Sequence, residues 1–367
     1  TAPPVRPGPG IALAPLMIRL ASFIVFFGAA TATAANAAPP VASACGGCFA
    51  PPATYTTVDS HRMIVALSPD KSVLWDQIRY SGDPDDFVWV LPVPDENVKI
   101  AVADAALFAE LEQSTAPTVR PPFREWCPNQ SGLDGGVGIA QDAGVEVYEE
   151  ALVGPYKTVV IGSDSADALV DWLRENGYQV PDSTRPAIDY YTEKKSVFVV
   201  LRLAPEQGVS AMQPIRIEYK GFLGTFPLRM VTVGAVGKVA LTLWIIAEQR
   251  YASQNYGTTT LNPEDIQWLQ AENRSNYREL FAAAIDELGG KGWITQYAAP
   301  LPIPAGAYEG LALALEDIPY PYLTRLSSEM LVDHIVDDLE LGPDAESANV
   351  DNFFFSPPIP AECDEDD

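Results

Sequence analysis

The chain has 367 residues, of which 47% are hydrophobic, and it carries 49 acidic against 23 basic side chains. Residues 1–37 hold two of the basic residues and no acid, so the other 330 residues have a formal net charge of −28. Such a charge excludes nucleic-acid binding and attraction to anionic membranes, since phosphate contacts need a basic face. Solubility explains the charge; divalent-cation binding and adaptation to salt are the alternatives.

Residues 1–37 have the features of an export signal. Two arginines lead into an apolar run at residues 20–30, and small residues stand at Ala35 and Ala37, the two positions that a signal peptidase reads. We therefore predict cleavage after Ala37 and a mature protein that is extracellular, periplasmic or on the cell surface. An uncleaved membrane anchor is the alternative.

The cysteines predict structural disulfides. An even number of cysteines in an exported chain is typical of disulfide bonding, and four cysteines allow three pairings. The four are Cys45, Cys48, Cys127 and Cys363. The first two lie in a proline-rich arm predicted at residues 38–60, where the prolines at 51–52 disfavour the helix that a Cys-x-x-Cys redox centre needs. Zinc needs a second close pair, and lipidation of Cys45 needs a bulky aliphatic residue where the chain has Ala42.

The first half of the mature chain predicts strands and two short helices. Alternating apolar residues indicate strands at 63–67, 73–80, 87–92 and 156–161. The first helix is predicted at 104–114. The second is predicted to follow a cap at Ser163 or Asp164 and to end at Gly177. Residues 117–144 are rich in proline and glycine, which favours a long surface loop.

The second half predicts four strands and two further helices. The strands are expected at 197–203, 215–219, 228–233 and 239–247. A long helix is predicted at 263–287, because Asn262 suits its cap and glycines follow its end, and a last helix at 327–339. The apolar stretch 231–247 is interrupted by two glycines and a lysine, so we expect no membrane span in the mature chain.

These elements indicate an α+β fold with antiparallel-rich sheets and about four helices. We place one α+β domain at residues 61–345, with a division into subdomains at about 61–145 and 146–345 as an alternative, and an acidic tail at 346–367. Residues 77–93 resemble residues 216–233, which indicates two related β units; chance similarity between amphipathic hairpins is the alternative.

Few residues are candidates for chemistry. A histidine base is limited to His61 and His334, and the chain has neither a Gly-x-Ser-x-Gly nor a His-Glu-x-x-His motif. We therefore predict no catalytic residue and no cofactor. The carboxylates at Asp83, Asp85 and Asp86 share one turn and are weak candidates for a calcium site, although the spacing is not that of an EF-hand. A solvated turn is the alternative.

Several short motifs together resemble a known family. They are the Cys-Gly-Gly at 45–47, the run Asp-Phe-Val-Trp-Val-Leu-Pro-Val-Pro at 86–94, and the segments 105–108, 154–156, 171–173, 176–178 and 323–325. In this combination the chain resembles the bacterial domain of unknown function 2330 from about residue 45 to 341. The resemblance implies an exported bacterial protein and carries no catalytic residues with it.

Together these features predict an exported envelope or extracellular protein that acts as a non-catalytic binding or structural module. Its partner is expected in the envelope or outside the cell. The alternative is a secreted hydrolase or metal-dependent enzyme that uses the acidic cluster at 83–86. Thiol–disulfide exchange is a third possibility.

Overall fold

The structure is a computed structural model, and it describes residues 48–49, 57–81, 88–94, 96–123, 152–163, 165–178, 180, 182–203, 212–233, 235, 237–301 and 309–357. The predicted export signal and most of the proline-rich arm lie outside these residues. So do Cys45, Cys127 and Cys363, and only the backbone of Cys48 is described. The disulfide predictions therefore stay predictions.

The described residues form six α-helices and twenty strands. The helices are α1 Ala105–Thr115, α2 Ala166–Glu175, α3 Arg185–Glu193, α4 Leu228–Val231, α5 Tyr277–Glu287 and α6 Glu309–Leu315. The strands of the first half are β1 Cys48–Phe49, β2 Thr57–Leu67, β3 Lys71–Ser81, β4 Val88–Val93, β5 Lys99–Val102, β6 Thr118–Arg120, β7 Leu152–Val153, β8 Tyr156–Gly162 and β9 Val197–Leu203. Those of the second half are β10 Ile215–Lys220, β11 Thr225–Phe226, β12 Lys238–Ala247, β13 Tyr251–Ser253, β14 Gly257–Thr259, β15 Trp268–Leu269, β16 Arg274–Ser275, β17 Gly292–Pro300, β18 Tyr322–Leu331, β19 Leu339–Pro343 and β20 Phe353–Phe355.

Two large sheets organise the fold. The larger has the order β14-β17-β18-β12-β2-β3-β10-β5, and the smaller has the order β1-β4-β9-β8-β7. Every pairing in the smaller sheet is antiparallel, whereas the larger contains the parallel pairs β12 with β2 and β14 with β17. The predicted α+β class with antiparallel-rich sheets is confirmed.

The sheets and helices form four layers. Alternate residues of a strand point to opposite faces, so Trp89 and Leu91 of β4 join the core between the two sheets while Val88 and Val90 pack with α2 and α3. On the far side of the larger sheet, Trp244 of β12 packs with residues of α1 and α6. Strands buried on both faces explain the continuous apolar runs of the sequence.

Several predicted elements are confirmed. The helix predicted at 104–114 is α1, which Asp104 caps by accepting a hydrogen bond from the backbone N–H of Ala106 at 2.8 Å. The helix before Gly177 is α2, although its cap is Ser165 rather than either of the predicted residues. Gly177 has a φ of +91°, which is why the helix ends there.

The long helix predicted at 263–287 is wrong in its first half. Asn262 caps only a 3-10 turn at Pro263–Asp265, and the helix begins at Tyr277. Between them the chain makes the short hairpin of β15 and β16. The side chain of Asn276 accepts from the N–H of Gln267 at 2.7 Å and donates to the Asp265 carbonyl at 2.9 Å, so local side-chain bonds compete with the helix.

The helix predicted at 327–339 is also wrong. Its first residues belong to β18, which lies between β12 and β17, and a 3-10 turn follows at Val332–His334. The spacing of apolar residues resembles that of a helix because polar residues of this part of β18, Ser327 and Ser328, are buried too. Their hydrogen bonds are made to neighbouring elements, which a single sequence does not reveal.

The third correction concerns the predicted strand at 228–233, where the chain forms α4. The second half of the proposed repeat therefore does not form the predicted hairpin. Instead β3 and β10, the first strands of the two similar segments, pair directly with each other. Phe353–Phe355, in the segment predicted as an acidic tail, form β20 and pair with β6.

Candidate functional site

The residues predicted from sequence do not form a described catalytic or metal site. Asp83, Asp85 and Asp86 lie outside the described residues. Within the part of the chain that the structure describes, no group of three His, Cys, Asp or Glu side chains could hold a metal ion. His334 is the last residue of the 3-10 turn after β18 rather than part of an α-helix, and its Nδ1 is 2.9 Å from the carbonyl oxygen of Gly290.

His61 is buried in β2, where its Nε2–H donates to a carboxylate oxygen of Asp76 on β3. The pair borders a cavity of about 20 Å³, space for a water molecule but not for a substrate. Trp89 lies against His61 with ring centroids 6.4 Å apart. No serine, threonine or cysteine borders this cavity among the described residues, so the pair lacks the nucleophile that a His–Asp catalytic unit activates.

A larger cleft of about 180 Å³ lies between β17, the start of α5 and the segment before β20. We call it the Tyr277 cleft. It is lined by the 260–263 loop, Tyr277 at the start of α5, Thr295 and Gln296 of β17, and the segment 349–354. Its size suits a small molecule or one side chain of a partner, since sites for drug-sized ligands span roughly 300–1,000 Å³.

The 349–354 wall of the cleft is fixed by backbone pairing. Ala298 and Val350 exchange two hydrogen bonds, at 2.9 and 2.8 Å. Asn352 then donates from Nδ2 to the carbonyl oxygens of Ser114 and Ala116, at 3.2 and 2.9 Å. The cleft is therefore already formed before any ligand arrives, which lowers the ordering cost of binding.

A β-bulge directs two successive side chains into the cleft. The register between β17 and β18 shifts between Thr295 and Tyr297, so Gln296 is the extra residue. In a regular strand Thr295 and Gln296 would point to opposite faces, but a bulge re-aims the side chains around it. Both therefore line the same site.

The orientation of the Gln296 amide is determined by Arg325. Arg325 donates from Nε to Oε1 of Gln296 at 2.9 Å, and Ser327 donates to the same oxygen at 2.6 Å. Because arginine can only donate, the atom that it contacts must be the amide oxygen. The amide nitrogen then faces the hydroxyl oxygen of Tyr277, to which it donates at 3.1 Å.

Tyr277 consequently holds an unused proton. Its oxygen accepts from Gln296, and no described residue accepts the phenolic hydrogen. Burial raises the pKa of Tyr277 to about 12, against the opposing effects of the Gln296 hydrogen bond and the Arg325 charge. At neutral pH the residue is therefore a neutral hydrogen-bond donor that faces the cleft.

Thr295 provides a second uncommitted group. It is only 2% exposed, and its Oγ1 has no hydrogen-bond partner among the described residues. An unpaired buried hydroxyl costs about 1–3 kcal/mol, which a ligand or a water can recover. The cost marks this position as a place where a bound group belongs.

The charge of Arg325 does not make the cleft an anion site. Its guanidinium donates to the Glu112 carboxylate at 2.9 Å and to Thr115 at 3.2 Å, and it lies 5.1 Å from the centre of the Trp244 ring. Glu112 thus balances the charge from the side away from Tyr277. The carboxylate that lines the cleft itself is that of Asp351.

The rim combines aromatic and polar groups. Tyr277 and Phe354 lie with ring centroids 6.0 Å apart, and Phe353 is exposed beside them. Asp351 accepts from the N–H of Phe353 at 3.0 Å. Asn349 accepts from Tyr322 at 2.7 Å through Oδ1, so its amide nitrogen is the donor that remains.

Sequence reasoning missed this site. Its aromatic wall belongs to a segment interpreted as an acidic tail, although three successive phenylalanines at 353–355 are unusual in a solvated tail. Tyr277 lies in the middle of the long helix predicted at 263–287, whereas in the structure it is the first residue of α5. Gln296 depends on a bulge that no local pattern indicates.

The comparisons with known proteins define the class and then the family. The chain is a bacterial protein of α+β fold, and it belongs to the family of uncharacterised proteins conserved in bacteria termed DUF2330, which matches residues 39–341. No curated protein matches the chain in sequence. A crystal structure of baculovirus P35 is similar with a TM-score of 0.30 and 8% identity, over 80% of this chain and 95% of that chain. Similarity at that level supports no conclusion about function.

The described helices contain no segment with the length and hydropathy required to cross a membrane.

Proposed function

We propose that the protein is an exported binding protein of the bacterial envelope or extracellular space, and that the Tyr277 cleft is its ligand site. The observation that carries the proposal is the hydrogen-bond geometry of Tyr277. Its oxygen accepts from Gln296 and no described residue accepts its proton, so the proton is available to a group in the cleft. Fixed donors that converge in a partly apolar cleft are typical of small-molecule sites.

Binding is favoured over catalysis by the chemistry of the lining. The raised pKa of Tyr277 makes it a poor general base near neutral pH, because a base works best with a pKa near the operating pH. Thr295 has no base within hydrogen-bond distance among the described residues. The lining groups are suited to hold and orient a ligand.

The binding proposal is tested by thermal unfolding with defined small molecules. The panel contains neutral monosaccharides, free amino acids, dicarboxylates and diamines. Binding to the folded state raises the midpoint, since a ligand at 100 times its Kd adds about 2.7 kcal/mol. At least one class should raise the unfolding midpoint of the wild type. Tyr277→Phe and Thr295→Val should each reduce that increase to about half, because tenfold weaker binding at the same ligand concentration adds only about 1.4 kcal/mol.

The control is Tyr320→Phe, at a side chain that is 83% exposed and does not line the cleft. It should behave as the wild type. If no class raises the unfolding midpoint, or if the increase in both cleft variants equals that of the wild type, the cleft is not the ligand site.

Export is tested on the chain expressed with residues 1–37 in a bacterial host. The paired alanines support cleavage after Ala37. N-terminal sequencing of the exported protein should begin at Ala38. Recovery of the uncleaved chain from the membrane fraction would contradict the proposal.

A further inference from the structure

We infer that the ligand of the Tyr277 cleft is a neutral, hydroxyl-rich ring of the size of one sugar unit. The inference rests on the proposed function and names the chemistry of its ligand. It follows from three properties of the lining: the mixture of donors and acceptors, the balance of charge, and the presence of aromatic rings among the polar residues.

The lining both donates to a ligand and accepts from it. Tyr277 has a proton to donate, because Gln296 occupies its oxygen. Asn349 offers its amide nitrogen, because Tyr322 occupies its Oδ1. Asp351 can only accept when ionised, and the hydroxyl of Thr295 does both. A ligand that satisfies these groups must therefore carry donors and acceptors side by side, as hydroxyl groups do.

Charged ligands satisfy only part of this set. A carboxylate or phosphate could accept from Tyr277 and Asn349, but it would meet the Asp351 carboxylate in a protein of strongly negative charge. An ammonium could pair with Asp351 and the aromatic rings, but it has no lone pair for the proton of Tyr277. The Arg325 charge does not alter this balance, because Glu112 neutralises it.

The lining also combines polar with aromatic groups, as a sugar requires. A sugar has a rim of hydroxyls around a face of C–H groups. The polar lining residues are Thr295, Gln296, Asn349 and Asp351, and the rings of Tyr277 and Phe354 lie 6.0 Å apart beside them. The aromatic rings can contact the C–H face of a sugar while the polar residues bond its hydroxyls.

Isothermal titration of the whole exported chain tests the ligand class. The probes are the methyl glycosides of glucose, galactose, mannose and N-acetylglucosamine. Two probes keep the same ring and add one charge, namely glucuronate and glucosamine, and glycine is a zwitterion without a ring. We expect at least one neutral glycoside to bind, with an affinity at least about tenfold above that of the charged rings.

Three variants distinguish the site from general binding. Tyr277→Phe and Thr295→Val should each weaken the neutral glycoside about tenfold, since each leaves a ligand hydroxyl without its partner. Asp351→Asn should reduce the ratio of the affinity for the neutral glycoside to the affinity for glucuronate, because it removes the carboxylate charge that repels glucuronate. Tyr320→Phe should change nothing. Tyr277→Phe keeps the ring that contacts Phe354, so loss of binding would not reflect loss of the fold.

The outcomes separate the two proposals. Binding of an amino acid or a charged ring that depends on Tyr277, without binding of neutral glycosides, overturns the sugar inference and leaves the binding function intact. Absence of binding by every probe and by the broader thermal panel overturns both. If all three cleft variants bind the glycoside as tightly as the wild type does, the Tyr277 cleft is not its binding site.

Discussion

His61 and Asp76 are joined by a hydrogen bond between neighbouring strands in the interior of the larger sheet, where both side chains are buried. The pair stands among apolar side chains from both sheets, with Trp89 of the smaller sheet against the imidazole. Taking two polar groups out of water is costly unless each satisfies the other. The bond therefore makes the two positions interdependent.

The first prediction concerns that interdependence. Asp76→Leu should lower the free energy of unfolding by about 1–3 kcal/mol, because it leaves the Nε2–H of His61 buried without its partner. The double variant with His61→Leu should be more stable than the sum of the single effects predicts, since it removes both polar groups. Urea unfolding at neutral pH measures each value. Additive single effects would show that the pair is not coupled.

The second prediction concerns Arg325, which connects Gln296 to Glu112. Arg325→Met keeps much of the side-chain volume but removes donors to three partners, so we expect a loss of roughly 1.5–3 kcal/mol in the free energy of unfolding. The matched control is Arg274→Met, whose ion pairs with Glu272 and Glu279 are exposed. Its effect should stay below about 1 kcal/mol. Equal losses in chemical denaturation would contradict a special role for Arg325.

The third prediction concerns alkaline pH. Burial raises the pKa of Tyr219 well above its ordinary value of 10.0, and the Asp76 charge adds to the effect. Between the unfolded and folded pKa values the folded state holds more protons, so its stability is complete below pH 10 and falls as the pH rises further. Tyr219→Phe should reduce that decline by up to about 1.4 kcal/mol per pH unit.

Urea unfolding between about pH 8 and pH 11 measures this slope. Burial also raises the pKa values of Tyr156 and Tyr191, so the variant should flatten the decline without abolishing it. Tyr320→Phe is the surface control. A slope that is identical in the wild type and in Tyr219→Phe would show that this phenol does not contribute.

The fourth prediction concerns the turn between β7 and β8. Gly154 has a φ of +59°, and a Cβ there would collide with Cγ1 of Val102. Gly221 has a φ of +83° with open space around it. Alanine should cost about 1–2 kcal/mol at either position for the left-handed backbone, with about 1–3 kcal/mol more at Gly154 for the collision.

A second substitution tests the collision directly. Val102→Ala in the Gly154→Ala protein should recover part of the loss, since it removes the methyl group that is struck. The melting midpoints of Gly154→Ala, Gly221→Ala and the double variant provide the comparison. If the two single variants lose the same stability, Val102 has no part in the effect.

The local pattern predicted an element correctly wherever its buried residues are apolar and its exposed residues are polar. Helix α1 has a capping aspartate and one apolar stripe. Strand β9 is a short apolar run, and it begins and ends at the predicted residues, 197 and 203. Prediction failed for the second half of β18, where the buried Ser327 and Ser328 look like the polar face of a helix. Both serines are buried because their hydroxyls donate to residues of the neighbouring strand β17, Gln296 and Gly292, which are distant in the sequence.

Composition and local pattern determined the class of fold and the strands β2, β3, β4, β8, β9, β10 and β12, because burial on a sheet acts over a few residues. The short motifs at 45–47 and 86–94 and their companions indicated the family. The Tyr277 cleft was decided only by the tertiary structure. It needs a bulge that turns Gln296 toward Arg325, the start of α5 at Tyr277, and the pairing of Val350 with Ala298. The contacts join residues that are far apart in the sequence. No local pattern therefore specifies them, and they form only when the chain is packed.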